Sequence, residues 1–115
     1  MSILSATINS QSKLTVALVD SMLFLSPGDI IRLEAKSNYT KIFLHNKPSI
    51  ITSKVLKEYE PLLKPFGFIR THRSHLINKN RVIKIDNKNK ILMDDTFVAA
   101  ISRNKRAGVM KELMQ

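Results

Sequence analysis

His72 and His75 stand three residues apart, and His45 is the third histidine of the chain. Two imidazoles at that spacing can share a divalent metal, but a stable site wants further ligands. The carboxylate nearest in sequence is Asp86, and there is no cysteine. Thiolate catalysis, disulfides and zinc fingers are thereby excluded. Ser74 beside His75 lacks the flanking glycines of a nucleophile elbow. Asp94 and Asp95 fall where a turn is expected, which suits turn residues better than an acid and base pair. Three glycines in the whole chain leave no phosphate-cradling glycine loop. An enzyme would need a deep polar pocket around His72 and His75.

Recognition of an anion is the chemistry that fits better. Arg70, His72, Arg73, Ser74, Asn78, Lys79 and Arg81 form one basic and polar cluster in sequence. Arg103, Asn104, Lys105 and Arg106 form a second, at the expected start of a helix. Free amides at a helix start favour phosphate, and the Ser102 hydroxyl can add a donor. Arginine and asparagine can read guanine and adenine edges by paired hydrogen bonds, whereas lysine mainly supplies charge. The 19 Lys and Arg against 9 Asp and Glu give a net charge of +10. Residues 70–115 hold 11 basic and 4 acidic groups, a net of +7, against +3 for residues 1–69. That excess exceeds the needs of solubility and points to nucleic acid, an acidic protein or a membrane surface. The seven aromatics (Phe24, Tyr39, Phe43, Tyr59, Phe66, Phe68 and Phe97) sit mostly in core-like patterns. Only Tyr39 lies in a polar bend, so no stacking platform for single strands emerges and duplex DNA is favoured.

The elements that must position these groups are short and bounded by turn residues. Alternation predicts strands over 13–19, 22–25, 30–34, 39–45, 49–52, 68–71, 81–85, 90–93 and 96–101. The first five are expected to form a meander. A helix is expected over 53–63, capped by Thr52 or Ser53 and ending near Glu60 because Pro61 follows. Residues 72–78 read as a turn with a short helical segment, being too polar for a core strand. Ser102 is expected to cap a closing helix over 103–114 that packs through Ala107, Met110, Leu113 and Met114. With 115 residues, one domain over 13–114 is expected, preceded by a polar leader or linker remnant over 1–12 that does not join the core. No apolar run is long enough to span a membrane and the start has no signal-peptide pattern, so a cytoplasmic location is expected.

Three stretches resemble the LytTR DNA-binding domain, the output module of many bacterial two-component response regulators. They are Ile30–Ala35 with Asn38-Tyr39-Thr40, then Phe68–Asn78, then Ile101-Ser102-Arg103 with the basic residues that follow. The resemblance runs from about Lys13 to Leu113. It implies a mainly β fold of elongated antiparallel sheets with short helices, and no enzymatic activity or cofactor. It implies double-stranded DNA as partner, at direct-repeat promoter sites occupied by two copies, with loops entering successive major grooves. By position, the base contacts would be Thr40, Arg73 and Arg103. Asn38, Lys41, Arg70, His72, Ser102, Asn104, Lys105 and Arg106 would touch phosphate or shape the loops. Glu34 would tie a loop down, by pairing with an arginine, and Ser74 and Asn78 would act similarly through hydrogen bonds. A complete response regulator also has an upstream receiver domain, for which 115 residues leave no room. The alternative reading is a basic protein-interaction module that binds an acidic partner.

Overall fold

The computed structural model describes residues 6–115. Its centre is a five-stranded antiparallel sheet of β4 (Ile30–Lys36), β5 (Tyr39–Leu44), β6 (Lys47–Thr52), β7 (Phe68–His72) and β8 (His75–Asn78). The strand order is β6-β5-β4-β8-β7. Two three-stranded antiparallel sheets flank it. One comprises β1 (Ala6–Ile8), β2 (Leu14–Ala17) and β3 (Met22–Leu25). The other comprises β9 (Val82–Ile85), β10 (Lys90–Met93) and β11 (Val98–Ala100). Helix α1 (Leu56–Leu63) lies between β6 and β7, and α2 (Arg106–Leu113) closes the chain. The long dimension is 43 Å against 28 and 24 Å, so the fold is elongated and mainly β as expected.

The central sheet is buried on both faces where β4, β8 and β7 lie. Leu33, Ile42 and Leu76 pack with Leu14, Val16, Leu56, Tyr59 and Leu63 on one side. Ile31, Ile69 and Ile77 pack with Ile91, Met93, Ala99, Ile101 and Val109 on the other. This explains the largest difference from the sequence reading. Residues 75–78 form β8, held between β4 and β7, and not a helical turn. A strand covered on both faces has no polar–apolar alternation to announce it. Its polar end, Asn78, is 2% exposed and donates its side-chain N–H to the Ile30 carbonyl at 3.0 Å. The expected five-strand meander is likewise corrected. Only β4-β5-β6 is a meander within the central sheet, while β2 and β3 belong to a separate sheet.

Residues 6–8 also depart from the expected leader. They pair with β2 through Ala6↔Val16, Thr7↔Thr15 and Ile8↔Leu14, and Ala6 and Ile8 pack on the first core. Residues 1–5 of the expected leader lie outside the described residues. Helix α1 continues through Pro61 to Leu63. Proline removes one backbone donor, but the helix keeps its buried stripe of Leu56, Tyr59 and Leu63. Neither Thr52 nor Ser53 caps it, because Val55 is the N-cap. The Thr52 hydroxyl instead meets the Tyr59 hydroxyl at 2.6 Å. Ser102 makes no side-chain cap, and a short 3-10 turn over Arg103–Lys105 precedes α2. Val109 is the buried residue of α2, while Ala107 is exposed and Met114 is 79% exposed. At Gly67 the chain takes φ +86° between α1 and β7, and an added Cβ would press the Lys79 side chain at 3.2 Å. Both conditions favour glycine there.

Arg32 fastens the central sheet to the third one. Its guanidinium lies between the rings of Phe43 and Phe97, 3.5 Å from each centroid. Its Nε donates to Asp95 Oδ2 at 3.1 Å, and the residue is 5% exposed. Burial lowers the Arg32 pKa, against the opposing pull of Asp95. The planar cation therefore serves as core packing as well as charge. Phe43 and Phe97 thus have a stacking partner inside the protein, whereas Phe24, expected in the core, is 57% exposed.

Candidate nucleic-acid interface

Two backbone hydrogen bonds gather three distant loops at one end of the sheet. The Ala35 N–H donates to the Ser74 carbonyl at 2.9 Å. That bond sets the Arg73-Ser74 turn beside the Ser37-Asn38 turn that joins β4 to β5. The Ser102 N–H donates to the Thr71 carbonyl at 2.8 Å. That bond brings the approach to α2 alongside the end of β7 that leads into Arg73. Ser37 adopts φ +56°, which lets the β4–β5 hairpin turn in two residues.

Arg73, Arg103, Asn104 and Asn38 are exposed at this end, and Tyr39 is 38% exposed beside Asn38. Neither Arg73 nor Arg103 takes part in an ion pair among the described residues. Their cationic heads are thus available to an anion. Thr40 is different and corrects the expectation of a base contact. It is 0% exposed, and its hydroxyl donates to the Lys54 carbonyl at 2.7 Å. Its side chain faces α1 and not the surface, because strand residues alternate between faces. Lys41, the next residue, lies opposite Glu34 with its Nζ 5.2 Å from the Phe43 ring.

Several of the basic residues shape loops. Arg70 donates from Nε to the His72 carbonyl at 2.9 Å, from Nη2 to the Arg73 carbonyl, and from Nη1 to Glu60 Oε1 at 2.8 Å. His72 Nδ1 accepts the Ser74 N–H at 3.1 Å. Arg106 Nη1 donates to the Asp86 carbonyl and to Asn89 Oδ1. Lys105 lies in a groove with Arg70 and Glu112. Glu34 pairs with Lys36 at 3.1 Å and not with an arginine.

The first sequence cluster does not stay together. Strand β8 runs away from the Arg73 turn, so Asn78, Lys79 and Arg81 reach the opposite end, roughly 13 Å on at 3.3 Å per residue. There Arg81 donates to the Gly28 carbonyl and to Asp94 Oδ2 at 2.9 Å, which makes it a fold residue. Conversely, the β9–β10 turn was missed. The Ile101 N–H donates to the Asn89 carbonyl, and Arg106 holds the same turn. Exposed Asn87 and Lys88 are therefore carried next to the Ser102–Arg103 segment. The basic Lys84, Lys88 and Lys90 in a hairpin were the available signal.

His75 sits behind this end. Its ring is 5.5 Å from that of His72 and meets Phe97 edge-on at 5.8 Å. Its Nδ1 is buried without a hydrogen-bond partner. Burial pushes its pKa below 6.5. Glu34 opposes that shift, while His72, Arg32 and Lys36 reinforce it. The unfolded imidazole therefore binds its proton at higher pH than the folded one. The stability that His75 contributes is full well above about pH 6.5 and is lost as pH falls from there through the folded pKa. The urea midpoint should drop between pH 7.5 and 5.5, and His75→Gln should reduce that drop. An equal drop in the variant would remove His75 as the cause. Among the described residues, no group of three or more His, Cys, Asp or Glu could hold a metal ion. Nor is any helix long and apolar enough to cross a membrane.

An antiparallel sheet that offers a basic end built from loops suits a loop-reading DNA-binding domain. The chain belongs to the LytTR family, whose LytTr DNA-binding domain matches residues 20–114. Its fold is similar to that of the LytTr DNA-binding domain of a Bacillus cereus protein described as a methyl-accepting/DNA response regulator. The TM-score is 0.73 at 26% identity, over 88% of this chain and 95% of that one. The chain is also 32% identical over 91 residues to the DNA-directed RNA polymerase subunit beta' of Karelsulcia muelleri (strain GWSS). That similarity covers 79% of this chain, which spans 6% of the length of that protein. This chain is a DNA-binding output domain of a regulatory protein.

Proposed function

We propose that the chain serves a bacterial transcriptional regulator of the two-component type, reading duplex DNA at direct-repeat promoter sites with two copies on one DNA face. In the complete regulator a receiver domain lies upstream, and the protein works in the cytoplasm. The DNA-binding domain itself corresponds to residues 13–114. Arg73 and Arg103 are the base-reading side chains, with Asn38 and Tyr39 beside them. Asn104, Lys105 and Lys41 supply phosphate contacts, while Arg70, His72, Ser102 and Arg106 hold the loops.

The observation that carries this reading is the joining of the 37–38, 73–74 and 102–103 segments by the Ala35–Ser74 and Thr71–Ser102 backbone bonds. Loops fixed by main-chain bonds to a sheet present their side chains in constant register, which base readout requires. Exposed arginines at that end provide both long-range attraction and paired donors for guanine.

The test is selection of duplexes from a random pool, followed by titration at several salt concentrations. Enrichment of a repeated motif at one helical-turn spacing supports the reading. Equal affinity for every duplex would end it and favour a module that binds an acidic protein. The Lys88 turn gives an independent check. Lys88→Ala should lower the slope of log affinity against log salt by about one, on selected and random DNA alike. An unchanged slope would place Lys88 away from the phosphates.

A further inference from the structure

We propose that Glu60 of α1 sets DNA specificity by locking Arg70 onto the Arg73 turn. The proposal rests on the DNA reading above and extends it to a residue of α1, outside the three gathered loops. Arg70 lies at a junction of three elements. From β7 its guanidinium reaches the carbonyls of both His72 and Arg73, and its third engaged nitrogen donates to the Glu60 carboxylate. The two carbonyls belong to the residues that enter and form the turn. Drawing both toward one planar cation fixes the peptide planes on either side of Arg73, and with them the direction in which the Arg73 side chain leaves the backbone.

A guanidinium has five donors in a rigid fork, so its orientation matters as much as its position. Nε and Nη2 can span two carbonyls only while the plane stays in place. The Glu60–Nη1 bond at 2.8 Å anchors the remaining corner of that plane. Arg70 is only partly exposed, with 17% of its side-chain surface open, whereas Glu60 shows 42%. Glu60 is thus the wetter partner of the pair. Without the carboxylate, the cation is free to swing outward and meet a phosphate. It would then support binding to any sequence while the turn loses its fixed shape.

Two consequences of opposite sign follow. Loss of the Glu60 charge strengthens binding to all duplexes, since one negative group leaves a basic domain. Loss of the anchor weakens the preference for the selected sequence. Glu58 on the same helix separates the two. Among the described residues its carboxylate pairs with Lys54, at 3.9 Å, and makes no ion pair or hydrogen bond with Arg70.

The experiment compares the parent chain with Glu60→Ala, Glu60→Gln and Glu58→Gln. Each is titrated with a duplex selected by the parent from a random pool and with a scrambled duplex of the same length. Glu60→Ala should lower the ratio of selected to scrambled affinity about three- to fivefold, the scale of one partly exposed ion pair. Its scrambled-DNA affinity should rise. Glu60→Gln keeps an acceptor for Nη1 and should recover part of the ratio. Glu58→Gln should leave the ratio as in the parent. Thermal melts of each variant report whether the fold is intact. The Nε–H resonance of Arg70, protected in the parent by the His72 carbonyl, should broaden or shift in Glu60→Ala and not in Glu58→Gln.

A parent with clear sequence preference whose ratio is the same in Glu60→Ala and Glu58→Gln overturns this proposal alone. So does an unmoved Arg70 resonance. A parent without any preference overturns the DNA-reading assignment, and this proposal with it.

Discussion

Arg32→Ala should destabilise the fold by about 3–5 kcal/mol, the scale on which removing one partner of a buried ion pair is felt. Three losses coincide at that position. The Asp95 carboxylate loses its partner at 3.1 Å, with only a fifth of its side-chain surface open to water. Phe43 and Phe97 each lose a cationic face at 3.5 Å. A slot between two rings is left empty, and an unfilled cavity adds its own cost. Asp95 Oδ1 also accepts the Phe97 N–H at 3.0 Å, so disturbance at Asp95 reaches the ring that covers Arg32.

Urea unfolding measures the effect, and a set of variants assigns it. Arg32→Lys should fall well short of rescue, because an ammonium cannot lie flat between two rings. Arg32→Met combined with Asp95→Asn should recover most of the loss. That pair fills the slot without leaving an unpaired charge, and a buried pair replaced by apolar packing is often close to neutral. A cost below about 1 kcal/mol for Arg32→Ala would mean that the sandwich is incidental to stability.

Arg73→Ala should weaken binding to the selected duplex by about 1–3 kcal/mol, the range of one paired arginine–guanine contact. On random DNA the loss should be far smaller, since only one phosphate-range charge disappears. The side chain is exposed and outside every ion pair among the described residues, so its removal does not disturb the fold. Arg73→Lys should keep most of the random-DNA affinity and lose the preference, because lysine lacks the planar fork. Equal losses on both DNAs would make Arg73 a phosphate contact and transfer base reading to Arg103 and Asn38.

The strands with one wet face were legible in the sequence. Met22–Leu25 and Lys90–Met93 have the predicted bounds, and Tyr39–Leu44 ends one residue short of them, because their patterns were bounded by turn residues. The strand His75–Asn78 was not, because both its faces are covered and its polar end, Asn78, finds its partner on distant β4. Pro61 was read from local backbone chemistry alone, which misses the packing of Tyr59 and Leu63 that holds α1 together across it. Thr40 was assigned by position in a motif. Which way a strand residue faces depends on register, and the Tyr39↔Lys36 and Thr40↔Ala35 pairing turns Tyr39 outward and Thr40 in.

By itself, the sequence determined the class of molecule: a small, strongly basic, mainly β domain whose cations concentrate in its C-terminal part, with three motifs of a DNA-binding family. Those properties are local or additive, so they survive without knowledge of contacts. Only the tertiary structure decided which cations are free and which are spent. Arg73 and Arg103 remain open, while Arg32, Arg70, Arg81 and Arg106 are consumed by Asp95, Glu60, Asp94 and backbone carbonyls. Most of those partners lie ten to more than sixty residues away in the chain. A guanidinium is the same in sequence whether it faces water or a carbonyl; strand pairing between distant segments supplies its neighbours, and those neighbours assign its role.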